Sequence, residues 1–219
     1  MRQAFSKAAE PTAGSLLAAI VRERPELRRK LSTVKFIDSG KNAYIIFIGD
    51  EVFKAPRPHQ DMEAFRQEMA TQKALAKAGL PVAAVGYTGK QTLFYGMQRL
   101  PGVTLYDVRA EITPEQKQVL AQGLADFTIR MAQTLPMKYG RYAQPADLHS
   151  LNVLVDPVTK KLTGVIDFAN IQYLSPEYLG DVQLGKEMNK MVREEYTRRQ
   201  AEVSLPAPKK HRRFHLFAP

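Results

Sequence analysis

The sequence predicts an α+β protein in two lobes, a β-rich N-terminal lobe with one helix and a reduced, mostly helical C-terminal lobe. Three observations carry that expectation. Runs of β-branched and aromatic residues joined by tight turns fill positions 34–98, interrupted by one helical stretch. Helical periodicity dominates positions 113–135 and 181–200. Between them Leu100, Pro101 and Gly102 break the chain as a hinge.

The elements follow in order. Residues 1–30 read as a polar leader with a short helix from about Ser15. "VKFIDSGKNAYIIFIGDEVFKAP" reads as a strand, a small-residue turn and a hairpin through Gly49 and Asp50, ended by Pro56 and Pro58. Asp61 can cap a helix to about Ala78, with Met62, Phe65 and Met69 at helical spacing and Gly79 and Pro81 closing it. A second hairpin, "AAVGYTGKQTLFYGMQRL", turns at Gly89. Thr113, Pro114 and Gln116 make a helix start, with a cap, an N1 proline and a capping-box glutamine; Leu120, Leu124, Phe127 and Met131 form one face. A loop follows Pro136, then strands at Val153–Val155 and Leu162–Ile166. Residues 181–200 read as a helix with Leu184, Met188, Met191 and Val192 inward. The expected organisation is a leader (1–30), a domain (31–200) with lobes 31–98 and 103–200, and a basic, Pro-rich tail (201–219).

Composition excludes several chemistries. The 219 residues include no cysteine, which rules out disulfides, thiolate metal sites and cysteine nucleophiles. No apolar run approaches the roughly 20 residues of a membrane span, and Leu16–Val21 is too short for a secretory signal. The net charge is +10, and it sits at the ends. Residues 1–30 hold seven Lys/Arg against three Asp/Glu, residues 186–219 nine against four, and residues 31–185 sixteen against fifteen. Basic ends on a near-neutral body are solvated termini or contacts for an acidic protein, lipid headgroup or nucleic acid.

Phosphoryl transfer from a nucleotide needs phosphate charge neutralised, a metal held and the accepting hydroxyl positioned. The sequence offers residues for each part. Lys54 ends the strand "EVFK", where it can reach phosphates; taken alone it is equally a solvated lysine. Glu68, fourteen residues on, lies beside the inward face of the next helix and can pair with Lys54, with Glu63 as the less well placed alternative. In "DLHSLNVLVD", Asp147 can orient the acceptor hydroxyl and Asn152 can brace the loop and ligate magnesium. Asp167 closes the strand "GVIDF", where a magnesium-binding carboxylate is needed. Ser39, Gly40 and Lys41 form a turn whose N–H groups can cover phosphates, or a plain β-turn. His149 reads as a loop-packing or hydrogen-bonding residue. No G-x-x-x-x-G-K-[ST] loop and no G-x-S-x-G elbow occurs.

Together Lys54, Glu68, Asp147, Asn152 and Asp167 resemble the protein-kinase-like superfamily over about Val34–Arg199. "QEMATQKALAKAGLPV", "MQRLPGVTL" and "DLHSLNVLVD…GVIDFANI" are similar to aminoglycoside-phosphotransferase-type kinases, and "SGKNAY" with the Asp147–Asn152 spacing is similar to RIO kinases. Only 45 residues separate Gly102 from Asp147, and 52 follow Asp167. That compact layout, with "MQRLPGVTLYDV" and "IDFANIQYLSPEY", resembles the minimal kinases delivered by bacterial pathogens, the OspG and NleH group and related plant-pathogen effectors.

The resemblance implies a protein-kinase-like fold and a Ser/Thr protein kinase using ATP and magnesium. It implies action on a host protein after delivery into the host cell, as a monomer, with Gln98 and Leu100 at the hinge completing the nucleotide-binding set. The segment Ser175–Glu177 follows Asp167 too soon for a phosphorylated activation loop, so activity is expected to be constitutive or set by a bound partner. A small-molecule phosphotransferase, a kinase of the bacterial cytoplasm and a non-catalytic binding module are the alternatives. The residues before Asp147, Gln144-Pro145-Ala146, lack the His or Arg that usually supports such a loop, which raises the question of what supports it here.

Overall fold

A computed structural model of the chain describes residues 12–37, 42–203 and 205. They form two compact units: the residues through Lys77 with Val82–Leu100, and Ala78–Pro81 with the residues from Pro101 onward. The α+β class follows from a β-rich first unit and a largely helical second one. Among the described residues no helix is long and apolar enough to cross a membrane.

The first unit is a five-stranded antiparallel sheet with helices α1 (Ala13–Glu23) and α2 (Met62–Lys77). Its strands are β1 (Lys35–Ile37), β2 (Ala43–Ile48), β3 (Glu51–Pro56), β4 (Val85–Thr88) and β5 (Tyr95–Gln98), in the order β1-β2-β3-β5-β4. Strand alternation sorts β3 into two faces. Phe53 and Ala55 join Ile46, Ile48 and Phe94 in a core completed by Leu16 and Ile20 of α1 and by Leu27 from the 3-10 turn that follows. Lys54 alternates to the opposite face and pairs in register with Tyr95 of β5. Helix α1 and the turn after it therefore supply core to the sheet.

Helix α1 begins with a capping box between Thr12 and Ser15. Its last residue, Glu23, receives the backbone N–H groups of Lys90 (2.6 Å), Gln91 and Thr92 (both 3.2 Å) and the Tyr87 hydroxyl (3.1 Å). Burial pushes the Glu23 carboxyl up, but these donors outweigh it and hold its pKa below the ordinary value of 4.5. A lowered folded-state pKa contributes stability above the unfolded value that is lost as pH falls through the folded one. Glu23→Gln should cost about 1 kcal/mol near neutral pH. Urea titrations of both proteins should converge once the pH drops well below 4.5.

In the second unit, the short helix α3 (Leu105–Val108) precedes the long α4 (Pro114–Thr134), and α5 (Lys186–Gln200) packs against α4. Strands β6 (Val103–Thr104), β8 (Val153–Val155) and β9 (Leu162–Val165) form one small sheet. Strands β7 (Tyr142–Pro145) and β10 (Ile171–Leu174) form another. Helix α4 starts with the capping box of Thr113 and Gln116 and buries Leu120, Leu124, Phe127 and Met131. Gly102, at φ 103°, lies where a Cβ would approach the Val155 carbonyl oxygen to 2.5 Å, so only glycine lets β6 pair with β8.

Three features differ from the sequence expectation. Helix α5 starts at Lys186 rather than 181, because Gly180 and Gly185 adopt positive φ and hold 181–185 as irregular chain. Its buried face includes Glu195, bound by Arg198 and Arg199, while Leu184 and Met191 are only half-buried. The stretch after Pro136 contains β7, whose four residues are all buried and lack the alternation that marks a strand with one solvent face.

Candidate active site

In the first unit, Lys54 of β3 and Glu68 of α2 form a buried ion pair with Nζ and Oε1 2.5 Å apart. Glu68 lies on the helical stripe with Phe65, Gln72 and Leu75, all buried. The Tyr95 hydroxyl donates to the same Glu68 oxygen at 3.2 Å, and Phe65 packs on the Tyr95 ring with centroids 5.3 Å apart. Gln72 donates to the Ala83 carbonyl at 2.8 Å, fixing α2 to the chain that enters β4. The lysine is thus held on a rigid strand by a carboxylate on a rigid helix, the arrangement that orients a cation toward phosphates. Glu63, the other glutamate of that helix, is exposed and pairs at 3.9 Å with Arg66 on the helix surface. Gln98 ends β5 exposed, and half-buried Leu100 is the last residue of this unit. Ser39, Gly40 and Lys41 lie outside the described residues.

In the second unit, backbone hydrogen bonds join the segments that carry Asp147, Asn152 and Asp167. The Ile166 N–H donates to the Asn152 carbonyl at 3.0 Å, joining the start of β8 to the end of β9. The Ala146 N–H donates to the Asn170 carbonyl at 2.9 Å. Within the loop, the His149 N–H donates to the Asp147 carbonyl at 3.1 Å and the Asn152 N–H to the His149 carbonyl at 2.9 Å. The Asn152 side-chain amide closes the same turn by donating to the Asp147 carbonyl at 2.9 Å. Asp167 sits at φ 66°, a strained position for a residue with a side chain. The next residue, Phe168, is buried against Phe127 of α4, with ring centroids 6.4 Å apart, which anchors the segment.

The chemistry of these donors suits a hard cation. Asn152 is buried and its amide nitrogen is committed to the Asp147 carbonyl, which leaves its side-chain oxygen for a ligand. With the Asp167 carboxylate it offers two protein oxygens, and magnesium takes one or two of these together with phosphate and water. Among the described residues there is no cluster of three or more acidic, His or Cys side chains of the kind a zinc or calcium site requires.

Two glutamines brace the chain on the two sides of Asp147. Gln144 is completely buried; its side-chain oxygen accepts from the Gly180 N–H at 2.8 Å and its amide donates to the Asp181 carbonyl at 2.6 Å. Gln183 flanks Asp147 on both sides, its side chain donating to the Ala146 carbonyl at 2.8 Å and its N–H to the Leu148 carbonyl at 2.9 Å. Both are neutral amides, and both act on the backbone rather than on the Asp147 carboxylate. Gln183→Ala should lower kcat about tenfold through misplacement of Asp147, with little change in KM for ATP. Initial rates over an ATP series check it.

His149 also does more than pack. Its Nε2 lies 3.4 Å from the Asp147 carboxylate, and its Nδ1 accepts from the Leu151 N–H at 3.2 Å. With Nδ1 accepting, the neutral tautomer is the one protonated on Nε2, which lies 3.4 Å from both the Asp147 carboxylate and the Asn152 amide nitrogen. The signal in the sequence is position: His149 lies two residues after Asp147 within one tight turn.

Residues 33–144 match the model of the phosphotransferase enzyme family, APH. The chain belongs to that family. The matched stretch contains Lys54, Glu68, Gln98 and Leu100 and stops before Asp147. This phosphotransferase is similar in fold to solved members of the aminoglycoside group. One is the ADP-bound aminoglycoside phosphotransferase APH(2'')-Ib, at 16% identity and a TM-score of 0.63 over 83% of each chain. Another is APH(2")-IIa in its ternary complex with streptomycin and ATP, at 16% identity and 0.61, again over 83% of each chain. A choline/ethanolamine kinase family protein from Mesorhizobium loti is similar at 11% identity and 0.58, over 85% of this chain and 76% of that one. No curated protein gives a significant match.

Proposed function

We propose that this phosphotransferase moves the γ-phosphoryl group of ATP, with magnesium, to a Ser or Thr hydroxyl of a polypeptide. The observation that carries the reading is the set Asp147, Asn152 and Asp167 on hydrogen-bonded segments, accompanied by the buried Lys54–Glu68 pair. ATP use is supported by the ADP and ATP bound to the similar aminoglycoside phosphotransferases. Magnesium, when bound, neutralises charge on the phosphates. Asn152 and Asp167 would hold it, Lys54 would bind phosphate oxygens, and Gln98 and Leu100 would contact the nucleotide beyond the phosphates.

Asp147 receives or orients the hydroxyl proton as the acceptor oxygen bonds to the γ-phosphorus. The bond from that phosphorus to the β–γ bridging oxygen breaks, and ADP leaves. His149, with its Nε2 against the Asp147 carboxylate, fixes that carboxylate's orientation.

A polypeptide acceptor is supported by access. The Asp147 side chain is 47% exposed, and α5 is the only α-helix after Asp167 among the described residues. The absence of a switch is supported by β10, which pairs with β7 only four residues after Asp167 and runs into the turn at Pro176–Tyr178. Activity is therefore constitutive or set by a bound partner. Delivery into a host cell, implied by the likeness to minimal effector kinases, belongs to the same proposal and is tested by a translocation reporter fused to the chain.

A second reading, phosphorylation of a small molecule, is favoured by the aminoglycoside and choline/ethanolamine kinase relatives. Labelled ATP, magnesium and host-cell extract, run beside aminoglycosides and choline, separate the two. Protein bands that Asp167→Ala abolishes support the first reading. Label confined to a small molecule moves the assignment to the second, and no label in any acceptor defeats both.

A further inference from the structure

Two basic recesses run from the catalytic loop along α5, the first a groove between segments and the second an open face of the helix itself. The first, about 520 Å³, is bounded by Arg109, Lys117, Ser150, Gln183 and Lys186. Its position is fixed by the loop itself. Ser150 lies three residues after Asp147 and its carbonyl accepts from the Tyr106 N–H at 3.0 Å, while Gln183 bonds the backbone on both sides of Asp147. The second, about 670 Å³, shares Lys186 and continues past Lys190, Arg193 and Arg198. From Lys186 to Arg198 the helix rises roughly 18 Å.

Most of the charge along this track is paired, and two cations are left over. Six cationic side chains line the two recesses against two carboxylates, Glu187 and Glu194. Glu187 is taken by Lys117 at 2.8 Å, and Glu194 by Lys190 at 3.7 Å. Arg193 meets Asp181 at 3.3 Å, and Arg198 meets Glu195 and Glu202. Among the described residues neither Arg109 nor Lys186 has an acidic partner. Arg109 is nonetheless held in place, its guanidinium 3.5 Å from the centroid of the Tyr106 ring and donating to the Tyr106 carbonyl at 2.7 Å. A guanidinium fixed in this way loses little further freedom when it binds a carboxylate.

Resting on the phosphotransferase reading above, we propose that this track takes the acidic stretch of a polypeptide acceptor, beside the hydroxyl that Asp147 serves. The sign of the lining decides the class. A polyamine acceptor would meet fixed cations next to the catalytic loop, whereas carboxylates meet Arg109 and Lys186 unopposed. The length decides between a peptide and a compact anion. An extended chain at about 3.3 Å per residue needs five or six residues to span 18 Å, and a phosphorylated sugar would leave the α5 face unused.

The test uses the full chain and two labelled peptides, each with one serine, flanked by glutamates in one and by lysines in the other. Binding is read by fluorescence anisotropy and transfer by labelled ATP. The glutamate peptide should bind more tightly, weaken with added salt and be the better acceptor. The double variant Arg109→Glu with Lys186→Glu, both at exposed positions, should bind it about tenfold more weakly and should bind the lysine peptide more tightly. Circular dichroism confirms that the variant is folded. Equal binding of the two peptides, indifference to the double reversal, or a sugar phosphate outcompeting the glutamate peptide as acceptor would overturn the proposal. Charge-dependent binding of the glutamate peptide with no phosphoryl transfer by the wild type would uphold the groove and sink the proposed function instead.

Discussion

Replacing Asp147 by asparagine should lower kcat by about a thousandfold while leaving the thermal midpoint where it is. The two halves of that expectation come from different atoms of one residue. The side chain is 47% exposed and its carboxylate contacts the His149 ring, so an isosteric amide removes little packing. The backbone carbonyl is the part that holds the loop, accepting from the His149 N–H and from the Asn152 amide, and the substitution leaves it untouched. Only the capacity to take or orient a hydroxyl proton is lost. Steady-state rates with the extract-derived acceptor, beside a calorimetric melt, check both halves. An unchanged kcat would show that the acceptor hydroxyl is served by another group. Asn152→Ala makes a useful contrast, since it removes the brace on the Asp147 carbonyl as well as the oxygen proposed for magnesium, and should lower activity and stability together.

Glu68→Ala should be the most damaging single change to stability, about 3–5 kcal/mol. It removes the carboxylate that compensates the buried charge of Lys54 at 2.5 Å. For a chain of this length that corresponds to a fall of about 10 °C in the melting midpoint. The double substitution Lys54→Met with Glu68→Leu should recover most of that loss, because a packed apolar pair needs no desolvation of charge. On the proposed function it should recover no activity, because the cation assigned to the phosphates is gone. Melts and turnover of the single and double variants separate the ion pair's role in the fold from its role in catalysis. A double variant as unstable as Glu68→Ala would mean that the pair's worth lies in its hydrogen bonds, that from Tyr95 among them, rather than in charge compensation.

Much of the fold is legible in the amino-acid sequence. The capping box at Thr113 and Gln116, the apolar face of α4 and the hairpin at Gly49 and Asp50 depend on residues within a few positions of one another, so local chemistry specifies them. The fourteen-residue spacing from Lys54 to Glu68 is readable as a strand lysine and a glutamate beside a helix's inward face. That the two touch, and that Glu63 is left on the surface, depends on how α2 lies on the sheet.

The C-terminal unit is harder to read because its determinants are distant in sequence. Strand β7 carries no alternation, since both its faces are covered, and its partner β10 lies 26 residues beyond its end. Gln144 looks like the wrong residue to precede a catalytic aspartate. Its meaning depends on the Gly180–Asp181 turn, 36 and 37 residues away, which nothing local could reveal.

Residue order alone offers Lys54, Glu68, Asp147, Asn152 and Asp167 as candidates for phosphoryl transfer, and it specifies the α+β class and the succession of elements. These rest on periodicity, capping and residue chemistry, which act over a few residues. What steadies the catalytic loop and what borders it are settled by long-range packing. Buried backbone groups must find partners wherever the chain brings them together. Here the partners are Gln144 and Gln183, and the border is a row of cations contributed by segments far apart in the chain.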